Sequence, residues 1–329
     1  MPTLDAEHGK PLKALVLCAG YGTRLKPLTD VVPKPLVTVL NVPLVDAAIY
    51  RCVKAGALDI AINAHHLPEK MGAHVTRTHG SLGVRSLFIS EETPEVLGTG
   101  GALSAIIGWW GDSLLLVYNG DILSNLDLEG LVARHHQLRP FVTMSVLSTP
   151  PTGNGRSVWV GNDGLVKAIA KRSDLPKDLN PMQLKECGFA CAYLASPELI
   201  NYLPRPAKFH DIIESFQAAI KDGKKIYAEF HRGFWADVGT HRSLWEANLE
   251  VAKLSPGEQI DIFGPLPVER TPQGLFLAKV DSVSVVSPRS KIGDNATISS
   301  SVVLDGGQVG IGESVASALR GPGFSQSFE

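Results

Sequence analysis

VLCAGYGTRLKPLTDVVPKPL, residues 16–36, sets two glycines, a threonine, an arginine and a lysine just behind an apolar run. The run itself, KALVLCA at 13–19, has the length and composition of a short buried strand. Where it ends, Gly20 and Gly22 lack the side chains that would keep backbone N–H groups from converging on an anion. Thr23 contributes a hydroxyl, and Arg24 a rigid fork of donors matched to phosphate. Lys34 stands between Pro33 and Pro35, which stiffen the arm that carries it. One cation in a glycine loop and one on a rigid arm describe a clamp for a polyphosphate. Two commoner phosphate loops are excluded by spelling. Leu25 occupies the third glycine position of a dinucleotide fingerprint, and no G-x-x-x-x-G-K-[ST] string occurs.

Outward from this stretch, strand-like and helix-like segments alternate. Residues 43–56 have helical spacing and a glycine stop, 59–64 read as a strand, 67–78 as a polar helix and 84–90 as a strand. A helix at 99–110 and a strand at 113–121 follow, and this order implies a mostly parallel sheet covered on both faces. Next come a helix at 128–137, a strand at 141–148 and a hairpin centred on Asn162-Asp163-Gly164. A strand at 188–196, a helix near 209–222 and a strand at 224–230 complete the unit. The expected fold class is α/β, a Rossmann-like domain with a mostly parallel mixed sheet over residues 1–252. Residues 253–282, punctuated by proline and glycine, read as a linker. Over 283–329 the style changes: Ile292 and Ile298 are six apart, as are Val303, Val309 and Val315, with small residues between them. That period is expected of a short left-handed parallel β-helix of about two coils.

The 329-residue chain carries 31 Lys and Arg against 33 Asp and Glu, without a basic run, so neither nucleic acid nor a membrane surface is expected as partner. Its 44% apolar content suits a sizeable core. The opening MPTLDAEHGKP is polar and acidic where a signal peptide would be apolar, and no stretch approaches the roughly 18 apolar residues of a membrane span. Cys187 and Cys191 form the one close cysteine pair. They have no second pair or nearby histidine and read as core thiols. A reducing cytoplasm is the expected location.

On these residues the chain resembles the sugar-1-phosphate nucleotidylyltransferases. LCAGYGTRLKPLT with the later PKPL is similar to the signature of that family. In the same register LGTGGAL (97–103) resembles its base-facing loop, NGD (119–121) its strand-end acid and FWADVGT (234–240) its second metal motif. The likeness runs through residue 250, and a short β-helix after the catalytic domain also occurs in the family. The resemblance implies a nucleoside triphosphate and a sugar 1-phosphate as partners. It implies nucleotide binding by Ala19, Gly20, Gly22, Thr23, Gly98 and Asn119, catalysis by Arg24 and Lys34, and Mg²⁺ as cofactor on Asp121 and Asp237. The residues themselves agree: Asp121 ends a nearly apolar strand at the edge where open α/β sheets bind ligands. Asp237 follows Phe234, Trp235 and Ala236, a setting in which an unpaired carboxylate is costly. In the implied reaction the sugar phosphate attacks the α-phosphorus and pyrophosphate leaves. A phosphate monoester is already anionic, so no general base is assigned.

The sugar side departs from the family's E-K-P and N-A-G strings. Lys171 and Arg172 stand where Glu and Lys would, and Glu186 stands at the Asn position before a retained Gly188. Arg172 is expected to meet the sugar phosphate, and Glu186 with Gly188 the sugar. The histidine pairs at 65–66 and 135–136 are expected on loops or the surface, because neighbouring residues on a strand or helix diverge. Trp109 and Trp110 read as core or interface anchors. The spelling LGTGGAL is nearer to guanylyltransferases of mannose- or heptose-1-phosphates than to glucose-type uridylyltransferases, while its Thr-Gly-Gly also resembles N-acetylmuramate-1-phosphate uridylyltransferases, so a UTP-dependent enzyme of N-acetylmuramate- or glucose-1-phosphate is the alternative. A non-catalytic regulator that binds nucleotide sugars would be expected to lose clamp or metal residues, and all are present. An acyltransferase role for the tail fails for want of a histidine after His241. The exposed end of a two-coil tail suggests a homo-oligomer built through it.

Overall fold

The computed structural model describes residues 10–150, 155–268 and 277–328. Its centre is a nine-stranded sheet. Strands β1 (Leu12–Leu17), β2 (Asp59–Ala64), β3 (Ser86–Glu91) and β4 (Leu114–Asn119) are parallel, in the order β4-β1-β2-β3. A short strand β5 (Ile122–Ser124) follows outside this sheet, and the sheet resumes with β6 (Val142–Leu147), the hairpin β7 (Ser157–Val160) and β8 (Val166–Ala170), and the long β9 (Lys185–Ala195). β9 runs antiparallel to β4, β6 and β7, and β10 (Ile226–His231) pairs in parallel with β6. The Asn-Asp-Gly hairpin forms as expected, with β8 antiparallel to β7.

Strand β1 shows why the sequence needs two helical layers. Ala14 and Val16 point into one apolar core and Leu15 into another, so both faces of the strand are buried. The first core is covered by α1 (Leu44–Lys54), α2 (Pro68–Thr78) and an α-helix at Leu128–Leu138, through Val45, Ile49, Met71, Val75 and Leu131. The second is covered by helices at Gly98–Ala105 and Ile212–Lys221, through Leu103, Ile212 and Phe216. These three later helices are α3 (Gly98–Ala105), α4 (Leu128–Leu138) and α5 (Ile212–Lys221). α6 (His241–Lys253) then leads away from the sheet.

The stretch read as a linker is partly ordered: Pro256–Phe263 forms helix α7. Ser255 caps it and Glu258 returns the bond, a reciprocal box that stops a helix end from fraying. Beyond it the chain winds in parallel layers. Lys279 lies opposite Thr297 and Thr297 opposite Ser314, while Val285 lies opposite Val302 and Val302 opposite Leu319. A first layer therefore begins at residue 279, ahead of the expected 283, and a third begins at 314. Ile298, Val303, Val309 and Val315 form the coil interior as the six-residue spacing requires. Their neighbours Val285, Val302 and Leu319 face the other way and join the apolar cluster of Leu244, Leu249 and Ala252 on α6. Adjacent valines thus serve two cores. Phe324–Ser327 turns back antiparallel along Ala318–Gly321, so the chain itself pairs the last strand on that face.

Candidate active site

The glycine loop leaves β1 at the carboxyl edge of the parallel strands. Gly22 has φ +63°, and a Cβ there would stand 2.8 Å from Thr29 Cγ2 and 3.1 Å from Lys34 Cβ. Glycine is required twice, for the left-handed backbone and for contact with the proline-flanked arm. Thr29 Oγ1 donates to the Gly22 carbonyl (2.8 Å) and holds the fold-back. Leu25 is buried and anchors a single 3₁₀ turn, leaving Thr23 and Arg24 exposed at the edge with Gly20. Ala19 is buried beneath them.

The two aspartates meet although 116 positions separate them in sequence (237 − 121). β4 ends at Asn119, Gly120 turns by donating its N–H to the Leu17 carbonyl (2.9 Å), and Asp121 begins the short hydrogen-bonded ladder of β5 with β11 (Trp235–Asp237). Asp237 lies opposite Ile122, and the Val238 N–H donates to the Asp121 carbonyl (3.2 Å). Lys34 stands between the carboxylates. Its Nζ is 2.6 Å from Asp121 Oδ2 and 3.8 Å from Asp237 Oδ1. Arg24 lies with Asp237 beside Gly239: a Cβ on Gly239 would be 2.7 Å from Arg24 Nη2 and 3.0 Å from Asp237 Oδ1. Arg24, Lys34, Asp121 and Asp237 therefore converge on one edge.

Two thiols lie close to these acids. Burial, and then the nearby Asp121 charge, pushes the Cys18 thiol well above its ordinary pKa. Burial, followed by Asp121 and Asp237, pushes Cys191 up to about 12 against the opposing effect of Lys34. Both are neutral packing groups; Cys18 and Cys187 are buried and Cys191 is half-buried.

The segment that opens at Leu97 is tied to the glycine loop by a buried chain that sequence reasoning missed. The Cys18 N–H donates to Asn63 Oδ1, Asn63 Nδ2 donates to Glu92 Oε1, and Glu92 Oε2 accepts from the Leu97 N–H, each at 2.7 Å. Glu92 is 1% exposed. The available signal was an asparagine inside the apolar strand DIAINA, since a buried polar side chain needs partners. His65 extends the chain: its Nδ1 is 2.7 Å from the Glu92 carbonyl and its Nε2 is 3.0 Å from the Tyr21 hydroxyl. A carbonyl only accepts, so Nδ1 carries the proton and, in the neutral ring, Tyr21 donates to Nε2. His66 Nε2 bonds the Thr29 carbonyl at 2.6 Å. The first histidine pair lies on the loop after β2, as expected, and from there braces the glycine loop. His135 departs from that expectation. It is buried, bonded to Thr143 and Ser196, and its pKa is lowered by burial to about 4.

Gly98, Gly100 and Gly101 receive the backbone of residues 208–210. Gly100 N–H donates to the His210 carbonyl (2.8 Å), and a Cβ on Gly98 would lie 2.8 Å from that same oxygen. The Thr-Gly-Gly spelling therefore has a packing reason independent of any base.

Arg172 and Glu186, expected at the sugar, bind one another, Nη2 to Oε2 at 2.9 Å, and Ser157 donates to Glu186 Oε1 at 2.7 Å. The Arg172 bond, then the Ser157 bond, holds the Glu186 carboxyl below its usual pKa. Gly188 lies in β9 where a Cβ would meet the Thr149 carbonyl at 2.9 Å. Among the described residues no group of three or more His, Cys, Asp or Glu is poised around a metal position, and no helix is long and apolar enough to cross a membrane.

Comparison with known proteins gives the chain's family and fold. The model of the nucleotidyl transferase family matches residues 13–253. A mannose-1-phosphate guanylyltransferase of Mycobacterium tuberculosis is 27% identical over 310 residues, spanning 91% of this chain and 81% of that protein. A UTP–glucose-1-phosphate uridylyltransferase of Synechocystis is 23% identical over 342 residues, 94% of this chain and 87% of the relative. Among solved structures, one from Bacillus anthracis in complex with sucrose, provisionally described as a glucose-1-phosphate thymidylyltransferase, shares the fold. Its TM-score is 0.64 at 23% identity, over 76% of this chain and 99% of that one.

Proposed function

The chain belongs to the nucleotidyl transferase family, and on that premise we propose that it transfers a nucleoside monophosphate from GTP to a manno-configured sugar 1-phosphate, releasing pyrophosphate. The observation that carries the reading is the convergence of Arg24, Lys34, Asp121 and Asp237 beside a glycine loop at the carboxyl edge of the sheet. No side chain there is needed as a base. The sugar phosphate oxygen forms the new bond to the α-phosphorus, the bond to the β-phosphate bridging oxygen breaks, and pyrophosphate leaves with that electron pair. The protein's task is to position two anions and neutralise their repulsion.

The Gly20–Thr23 backbone and Arg24 bind the β- and γ-phosphates and stabilise the departing charge. Lys34, on its buried arm, neutralises the α-phosphate. Asp121 and Asp237 are a two-carboxylate donor set of the kind that suits Mg²⁺, a hard ion completing its shell with phosphate oxygens and water. Bound there, the ion would supply charge neutralisation between the α-phosphate and the sugar phosphate. Arg172, 66% exposed at its side chain, offers the cation for the sugar phosphate, while Glu186 has lone pairs left for sugar hydroxyls.

GTP and a mannose-type sugar are favoured by the LGTGGAL spelling and by the guanylyltransferase relative. UTP is the second reading, supported by the uridylyltransferase relative that spans nearly the whole chain. Base choice rests on a few hydrogen bonds and can change without disturbing the clamp. The test offers GTP, UTP, CTP, ATP and dTTP at equal concentration with mannose-, glucose- and N-acetylmuramate-1-phosphates, following pyrophosphate release. GTP with mannose 1-phosphate should turn over fastest. UTP consumed well ahead of GTP would overturn the nucleotide and leave the reaction class, and no release with any pair would overturn the class.

A further inference from the structure

We infer that Lys34 is the resident counter-ion of the Asp121–Asp237 pair, so that a divalent cation gains the pair only when a triphosphate draws the ammonium away. The inference rests on the reading of these two acids as the metal ligands. Lys34 is 7% exposed, and its arm leaves it little room to retreat. Pro33 and Pro35 are buried on either side, and the Gly22 backbone sits against its Cβ. The ammonium is in contact with Asp121 and within 4 Å of Asp237, and among the described residues no other ion pair reaches either acid.

Without Lys34 two carboxylates would face one another at a partly buried edge. With it the trio carries one net negative charge. A divalent cation has to compete for the same oxygens with an ammonium already bound between them, and like charges a few ångströms apart in a protein change an ion's affinity by well over tenfold. A triphosphate reverses the balance in two ways. Its negative charge attracts Lys34 away from the carboxylates, and its oxygens offer the metal further ligands. Metal and nucleotide should therefore bind with strong positive coupling, which is reciprocal by linkage.

Mn²⁺ serves as a spectroscopic probe, titrated into the full chain without nucleotide and followed by electron paramagnetic resonance. Lys34→Met should bind Mn²⁺ at least tenfold more tightly than the parent, and Lys34→Arg should bind as weakly as the parent. Lys34→Gln, which keeps much of the stem and loses the charge, repeats the comparison if the Met variant does not fold. Equal affinity in parent and neutral variants, or weaker binding in the variants, would overturn the counter-ion role and leave the metal site standing. A site in the neutral variants that survives Asp121→Asn, or no Mn²⁺ binding by any variant, would instead remove the metal reading and this inference with it.

Discussion

Replacing Glu92 by Gln tests whether the buried chain between the glycine loop and Leu97 holds the proposed site together. The side chain keeps its size and loses one acceptor. Oε1 accepts from Asn63 Nδ2 and Oε2 from the Leu97 N–H, both at 2.7 Å, so either placement of the new amide sets an NH₂ against a donor. Flipping Asn63 does not relieve it, because its amide would then face the Cys18 N–H that Oδ1 now accepts. The mismatch moves along the chain without being removed. One lost bond to a carboxylate and one buried donor without a partner amount to about 2–4 kcal/mol. For a chain of this size that lowers Tm by roughly 3–6 °C. Glu92 touches neither the clamp nor the acids, so the functional loss should appear in nucleotide binding. KM for the triphosphate should rise on the order of tenfold, by loosening Leu97 against the glycine loop, with a smaller change in kcat. Differential scanning calorimetry and steady-state pyrophosphate release are sufficient assays. A Glu92→Gln variant with parental Tm and parental KM would refute the argument.

Three further outcomes are expected. Arg24→Ala should lower kcat/KM on the order of a hundredfold or more with Tm unchanged, since it removes an exposed donor to developing charge; near-normal turnover of a folded variant would take Arg24 out of the mechanism. His135 has a folded pKa of about 4 against roughly 6.5 unfolded, so between those values the unfolded chain binds the extra proton. Its stabilisation is full above about pH 6.5 and falls by about 1–2 kcal/mol from pH 7 to 5, and His135→Asn should flatten that slope in Tm measured against pH. Truncation after residue 268 bares the α6 surface that Val285, Val302 and Leu319 cover, and should lower Tm or cause association in light scattering; a monomeric product of parental Tm would mean the tail contributes no stability.

The assignment of residues 253–282 as linker illustrates how local signals compete. Pro256 and Gly257 read as punctuation, yet proline at the first helical position and Glu258 three residues after Ser255 are also the opening of a capped helix. What decided for the helix was an apolar surface for Ile262 and Phe263 to cover, contributed by residues such as Leu44 and Ala47. The histidine pairs divide: 65–66 lie on a loop as expected, and there the two diverging side chains reach different partners, while His135 is buried on α4.

From the sequence alone came the α/β alternation, the glycine loop with its two cations, the strand-end acid, the second acid and the inward valines of the coils. Each is a local pattern: a period of two or of about six residues, a glycine where backbone must be bare, a charge beside an apolar run. Tertiary structure decided which of these groups meet. Asp121 and Asp237 become neighbours through the ladder of β5 and β11, Lys34 fills the space between them, and Arg172 engages Glu186 before any substrate does. The Cys18–Asn63–Glu92–Leu97 chain joins four separate segments. Such contacts depend on hydrogen-bond partners supplied from far along the chain, and the demand of a buried polar atom for a partner names no residue until the backbone has folded.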